Sequence, residues 1–517
     1  IRGFGPLPWA GWVSADPGRN LVTGAYIAVQ ALLLGLLIAY GVLRLSECIK
    51  STSLHVISRP SRILLYALPC WLVWLIYFLA FYPGIFPKDA LYQWQQILDG
   101  SFDNRHPAVH TLSMALVYRI WPSPAAVVLV QMLALGGIIG IAARALERWG
   151  VSTSARGFLV LAAALSPANG LMSITMWKDV PYTIGMLGLS AALLHLVRDF
   201  LEERRPALST WTGIILGGLA IAAYRHNGWP IVLFTFILII ILWKKHAINL
   251  ITRSLLPVIA CYIIIQVAEI YILRIPPVPR WFAFQMLIHQ VSALVYAETP
   301  LTVDEAIFLD RIQPLELWRT GYTCRFLDPV VHNDQFNRKL FDENILNFMS
   351  LWFRLILRNP MGWLRHYLCS TDFLWRITQP ENAYVYAFEW GTPPNPLGLS
   401  SRPILPKLQS ALWLIFRETL RPAWIWLFWR PAIFFYFVVL IGIVLACRHG
   451  VRPALSLIGP AIVHTMFWFP ILTAPDFRFQ YPVYLIALIL SPLLLGSSAI
   501  SERPYSACGF FQSETRK

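Results

Sequence analysis

The run Ile63-Leu-Leu-Tyr-Ala-Leu-Pro-Cys-Trp-Leu-Val-Trp-Leu-Ile-Tyr-Phe-Leu-Ala-Phe-Tyr82 contains no charged residue. About 20 apolar residues, rising about 1.5 Å each, cross the roughly 30 Å hydrocarbon core of a bilayer. The run therefore reads as a membrane span. Polarity returns just beyond it, in Pro83-Gly-Ile-Phe-Pro-Lys-Asp89 and then Asp103-Asn-Arg-His-Pro107. Charged groups near lipid are costly and are usually kept for a task. The span sets the fold class, and the loop after it is the first candidate for an active site.

The same apolar signal recurs along the chain. Candidate spans fall at 21–43, 63–82, 124–143, 157–170, 180–198, 211–224, 229–243, 254–273, 431–447, 453–473 and 481–498. The segment 107–121 is shorter and holds Arg119, so it reads as a helix lying at the interface or re-entering. Hydrophobic residues make up 57% of the 517-residue chain and charged residues 13%. Soluble domains carry about 25% charged residues. The expected fold is an all-α polytopic membrane protein with about eleven transmembrane helices, juxtamembrane helices and an extracytoplasmic domain. The chain opens on Ile1, which reads as a processed or trimmed start with no cleavable signal peptide. No internal repeat or low-complexity tract is visible.

The excess of 42 Lys and Arg over 27 Asp and Glu first suggests a nucleic-acid partner. Its distribution argues otherwise. Alternate loops hold Arg44, Lys50, Arg59 and Arg62; Arg144, Arg148 and Arg156; Arg198, Arg204 and Arg205; Lys244, Lys245 and Arg253; and Arg448 and Arg452. The opposite short loops hold one or two cations each. Cytoplasmic loops are enriched in Lys and Arg, so the N-terminus is expected outside and the C-terminus in the cytoplasm. No nucleic-acid partner is expected.

Residues 274–430 lack a clear span and fall outside by parity. They read as a largely helical extracytoplasmic domain resting on the membrane, between an N-terminal transmembrane module (1–273) and a C-terminal module with its tail (431–517). Cys324 and Cys369 lie in this domain, where oxidising conditions permit a disulfide. The seven cysteines show no metal-binding spacing.

Four outer loops carry the chemistry. The first, 83–106, supplies Lys88, Asp89, Tyr92, Asp103, Arg105 and His106, with His110 just after it. The second supplies Trp177, Lys178 and Asp179; the third, Arg225, His226 and Asn227; the fourth, Asp476 and Arg478. A carboxylate can take a proton from an attacking hydroxyl. Cations can hold a phosphate leaving group and stabilise charge developing on it. That combination suits sugar transfer from a polyprenyl-phosphate donor at the interface, with Asp89, Asp103 and His106 as catalytic candidates. Lys178, Arg225 and Arg478 are the candidate phosphate ligands. Lys88, Tyr92, Arg105, His110, Trp177, Asp179, His226 and Asn227 are candidates for substrate contact. Each has a plainer reading: Asp179 favours a helix N-terminus, Arg225 can snorkel, and Asp103 and His106 can cap a loop and a helix.

Here the chain resembles the GT-C class of integral membrane glycosyltransferases, which includes protein O-mannosyltransferase and aminoarabinose-transferase types. The resemblance rests on Pro87-Lys-Asp89-Ala-Leu-Tyr92 in the first large outer loop and on His106-Pro107. Trp177-Lys-Asp179 and Arg225-His-Asn-Gly228 resemble elements of a bacterial group in that class. It covers roughly residues 60–275 and, more loosely, the C-terminal spans. It implies that Asp89 is the base, that the donor is a polyprenyl-phosphate-linked sugar, and that the site lies on the outer side of a bacterial cytoplasmic membrane. The chain has an extra N-terminal span and lacks a WWDYG-like element, which argues against transfer of a large preassembled glycan to asparagine. No cofactor is expected to be required, although Asp89, Asp103 and His106 carry donor atoms suited to a divalent cation. The acceptor is expected to be a protein such as a pilin, a lipid or an envelope glycan, which the segment 274–430 would select. A polysaccharide polymerase or ligase of another fold using Arg354, Arg358 and Arg365, and a lipid or sugar transporter, are the alternatives.

Overall fold

The computed structural model describes residues 61–380 and 387–495. The described chain is helical; its extended pairings are two isolated bridges. Six of its helices are long and apolar enough to cross a membrane, or seven if a pair bent by 60° counts as one span. The expected span at 21–43 lies outside the described residues.

The described chain divides into two compact units. The larger holds the described residues up to Pro279, Phe373–Ile471 and those from Pro475 onward. Its first helices are α1 (Ser61–Ala80), α2 (Lys88–Asp99), α3 (Ala108–Ile120), α4 (Pro124–Ala145), α5 (Thr153–Leu165) and α6 (Pro167–Ile174). Then come α7 (Asp179–Leu201), α8 (Leu208–Tyr224), α9 (Gly228–Leu242) and the long α10 (Lys244–Ile272). The bent pair is α5 and α6, joined at Ser166-Pro167, where Ser166 caps α6.

Among the spans α7 is the most enclosed, with 78% of its apolar window buried, whereas α10 buries 11%. A stripe of small residues explains how α7 packs so tightly. A Cβ added at Gly185 would sit 2.7 Å from the Ala220 Cβ, and one at Gly217 would sit 2.6 Å from the Leu189 backbone nitrogen. Small residues let helix backbones approach closely where lipid supplies no hydrophobic drive between them.

The smaller unit comprises Arg280–Asp372 with Leu472–Ala474. It holds α11 (Gln285–Tyr296), α12 (Val303–Ile312), α13 (Ile345–Arg358) and α14 (Pro360–Ser370). They enclose a core of Leu309, Trp318, Phe341, Phe348 and Leu355, each fully buried. Thr302 and Glu305 form a reciprocal cap at the start of α12. Cys324 and Cys369 are joined in a disulfide, with Cα atoms 5.8 Å apart.

The larger unit continues with α15 (Pro406–Thr419), α16 (Pro431–His449), α17 (Val451–Trp468) and α18 (Tyr481–Leu490). Substituting Gly217→Val should push α7 and α8 apart. The expected result is a loss of thermal stability in detergent larger than that from Gly137→Val, a position with open space around it. Equal melting temperatures for the two variants would contradict the packing argument.

Candidate functional site

The site begins with a backbone tie. The Ile85 amide donates to the Ile174 carbonyl at 3.0 Å, and the Met176 amide donates to the Ile85 carbonyl at 2.9 Å. This short parallel bridge fastens the loop after α1 to the loop before α7. Gly84 permits it: its φ is +129°, and a Cβ there would meet Val128 at 2.6 Å. Gln131, in the middle of α4, donates its side-chain amide toward the carbonyls of Met172, Ser173 and Thr175 and braces the second loop from behind.

Four residues beyond the tie, Asp89 stands in the first turn of α2, where the helix dipole favours a negative charge. Three residues beyond Thr175, Lys178 stands at the N-cap of α7. The Lys178 Nζ lies 3.4 Å from an Asp89 carboxylate oxygen. Arg478 enters from the last loop, its guanidinium 3.0 Å from the same oxygen. Asp476 holds Arg478 in place: its carboxylate accepts from the Arg478 amide at 3.2 Å and from Nε at 2.5 Å. The Arg478 guanidinium also lies over the buried Trp177 ring, 4.9 Å from its centroid.

His106 completes the inner ring. Its Nδ1 is 3.2 Å from the Lys178 Nζ, and its Nε2 is 3.9 Å from Asp89. Burial and the neighbouring Lys178 push its pKa down to about 3, so the ring is neutral. An ammonium only donates. Nδ1 is therefore the acceptor, and the ring proton sits on Nε2, facing the carboxylate.

Behind this ring, Arg225 and Asp179 pair directly. Asp179 is fully buried, and the Arg225 guanidinium is enclosed by the rings of Tyr182, Trp468 and Phe479. Asn227 accepts from the Arg225 Nε at 3.2 Å. Arg478 also approaches Asp179, at 3.8 Å.

Three cations and three carboxylates thus share one cluster, and exposure separates them. The Asp89 side chain is 31% exposed; those of Asp179 and Asp476 are 0% and 4%. Asp89 is the acid of this cluster that a ligand can reach. Burial opposes its charge, but Lys178 and Arg478 prevail and hold its pKa well below the usual carboxylate range. Burial also draws the Lys178 pKa down, to about 8, with Asp89 partly offsetting the fall.

The remaining candidates stand apart. Asp103 accepts from Tyr92 and from the Arg105 amide, and Arg105 stacks over the Tyr92 ring at 4.8 Å. These three close the loop onto α2. His110 is buried and bonded to Gln93 at 2.9 Å, tying α2 to α3. Lys88 and His226 are exposed. Asp103 is committed to Tyr92 while Asp89 faces two cations, so Asp89, Asp103 and His106 do not converge as a ligand set for a divalent cation. Among the described residues no group of three or more His, Cys, Asp or Glu side chains is gathered for a metal.

Sequence reasoning missed the anchoring role of Asp476, the ring cage around Arg225, and Glu269. This carboxylate lies in the apolar α10 yet is buried, accepting from Gln266 at 3.0 Å and Asn104 at 3.5 Å. A lone acid within an apolar span was the available signal.

The chain belongs to DUF6020, a family of unknown function, whose match covers residues 97–371, just over half of the chain. His106, Lys178, Asp179 and Arg225 fall within the match; Asp89 and Arg478 lie outside it. No curated protein and no solved structure matches the chain.

The Lys178 charge sets a pH limit. The ammonium is present below about pH 8 and is lost above it, so affinity for a phosphomonoester probe should fall as pH rises through that value. Lys178→Arg, which stays charged, should retain binding there. An alkaline limb that is the same in both proteins would rule Lys178 out as its source.

Proposed function

We propose that the protein is an inverting glycosyltransferase of the GT-C type, moving a sugar from a polyprenyl-phosphate donor to an acceptor hydroxyl. One observation carries the reading: the accessible Asp89 carboxylate shares an oxygen with two cations from distant parts of the chain, Lys178 and Arg478. The alternative polymerase or ligase would use Arg354, Arg358 and Arg365; Arg354 and Arg358 pair with Glu305 rather than with the accessible Asp89.

The reaction follows from the charges. Asp89 takes the proton of the acceptor hydroxyl as its oxygen attacks the anomeric carbon. The bond from that carbon to the phosphate oxygen breaks, and the phosphate leaves with the electron pair. Lys178 and Arg478 hold it. A single displacement inverts the anomeric centre. Arg225, enclosed behind the cluster with Asp179, acts as fixed charge rather than as a ligand contact, and His106 keeps Lys178 aimed. Asp89 in the ligand-free site is a weak base, because both cations lower its pKa. A donor phosphate drawing those cations away would raise the affinity of Asp89 for a proton when the acceptor arrives.

The chain would be a multi-pass protein of about eleven spans in a bacterial cytoplasmic membrane, with its N-terminus and site outside, as the loop charges suggest. The Cys324–Cys369 disulfide supports an oxidising compartment for that segment. The acceptor would be a protein, a lipid or an envelope glycan.

The test is mass spectrometry of envelope glycans, lipids and proteins from cells carrying the wild-type gene, no gene, or Asp89→Asn. The same single monosaccharide should be missing from the last two. Full modification with Asp89→Asn would contradict the assignment of the base, and an unchanged envelope without the gene would contradict the activity.

A further inference from the structure

The smaller unit carries a surface that neither its fold nor the proposed chemistry accounts for. Helix α13 buries Ile345, Phe348, Leu351 and Leu355 in the core of this unit. Leu346, Met349, Phe353 and Leu357 follow at intervals of three and four residues, which places them in one stripe beside the buried face. Leu346 is 76% exposed, Phe353 56% and Leu357 65%. Scattered exposed leucines are ordinary, whereas a contiguous apolar stripe marks a contact surface.

The charges beside the stripe say what kind of surface it meets. Arg354 and Arg358 stand on its polar flank, with exposed guanidinium-bearing side chains (46% and 33%) held in place by Glu305. Hydrogen bonds from Arg358 and Arg354 prevail over burial and pull the Glu305 pKa down to about 2, so the carboxylate stays ionised. Two cations and one anion leave the flank positive. An apolar stripe edged by fixed arginines is the pattern of a helix lying in a lipid interface, with its apolar face among acyl chains and its arginines at the phosphates.

A bilayer is also always within reach. The candidate membrane span before this unit, α10, ends at Ile272, and the unit begins at Arg280. The seven intervening residues, 273–279, extend at most about 25 Å. A second copy of the chain would instead bring two positive flanks together. We infer that α13 is an interfacial membrane helix, seated through Leu346, Met349, Phe353 and Leu357 on the phospholipid surface, with Arg354 and Arg358 on lipid phosphates. This holds whatever reaction the protein performs.

The experiment places the photoreactive residue p-benzoylphenylalanine at position 346, 353 or 357 of the full chain, with Asn347, an exposed residue on the polar side of α13, as control. The protein is reconstituted in vesicles of phosphatidylethanolamine and phosphatidylglycerol and irradiated. Lipid adducts, read by mass spectrometry, are expected at the three stripe positions and should be lost at 347. Adding Leu357→Glu should reduce the adduct at 346. A covalent dimer from the stripe positions would assign the surface to a second copy, and absence of lipid adducts at all three would show that α13 faces water. Either outcome overturns the inference.

Discussion

One carboxylate oxygen shared by two cations is the constraint on which the site depends. Asp89, Lys178 and Arg478 come from positions separated by up to 389 residues, yet the three meet within 3.4 Å. In water each contact would be worth little. At the partly enclosed end of a helix bundle the same charges are screened less, so each fixes where the others stand and how each ionises. Asp89 stays charged because of the cations, and Lys178 keeps what charge burial leaves it partly because of Asp89.

The scaffold is arranged around this requirement. The bridge between Ile85 and Thr175 sets the spacing of Asp89 and Lys178, and Asp476 sets the direction of Arg478. Beneath them the Arg225–Asp179 pair is closed off by aromatic rings. Removing one partner of such a buried pair typically costs about 3–5 kcal/mol, because the other charge is left uncompensated. The pair is therefore a floor for the site as well as a source of field. Under the proposed reaction an entering phosphate would meet a neutral set of three cations and three acids and would compete with Asp89 for Lys178 and Arg478. Under the proposed reaction, donor binding and activation of the base become the same event.

Much of this was readable from the sequence, for a definite reason. Apolar runs and the charges that interrupt them are local signals, so the helical membrane class and the inner ring of Asp89, His106, Lys178 and Arg478 could be picked out directly. Roles that depend on depth could not. Arg225 looked like a phosphate ligand, and its pairing with Asp179 among aromatic rings could not be read from the sequence. Asp103 looked equivalent to Asp89, but its partner is Tyr92, one helix turn past Asp89, and periodicity does not reveal which acid turns inward. Asp476 stood in the fourth loop beside Arg478 with no role of its own, and it proves to aim Arg478. Gln131 and Glu269 are single polar residues inside apolar spans, and their bonds to Thr175 and Asn104 become visible only when the helices are packed.

The most direct measurement is the equilibrium affinity of the reconstituted protein for a sugar-free polyprenyl phosphate, compared between wild type and the Asp89→Asn protein. If the carboxylate and the phosphate compete for Lys178 and Arg478, losing the carboxylate charge frees both cations and the lipid should bind more tightly. Weaker binding by the Asn protein, or an affinity unchanged by the substitution, would mean that the two cations serve only to neutralise Asp89, and the account of the site would fail.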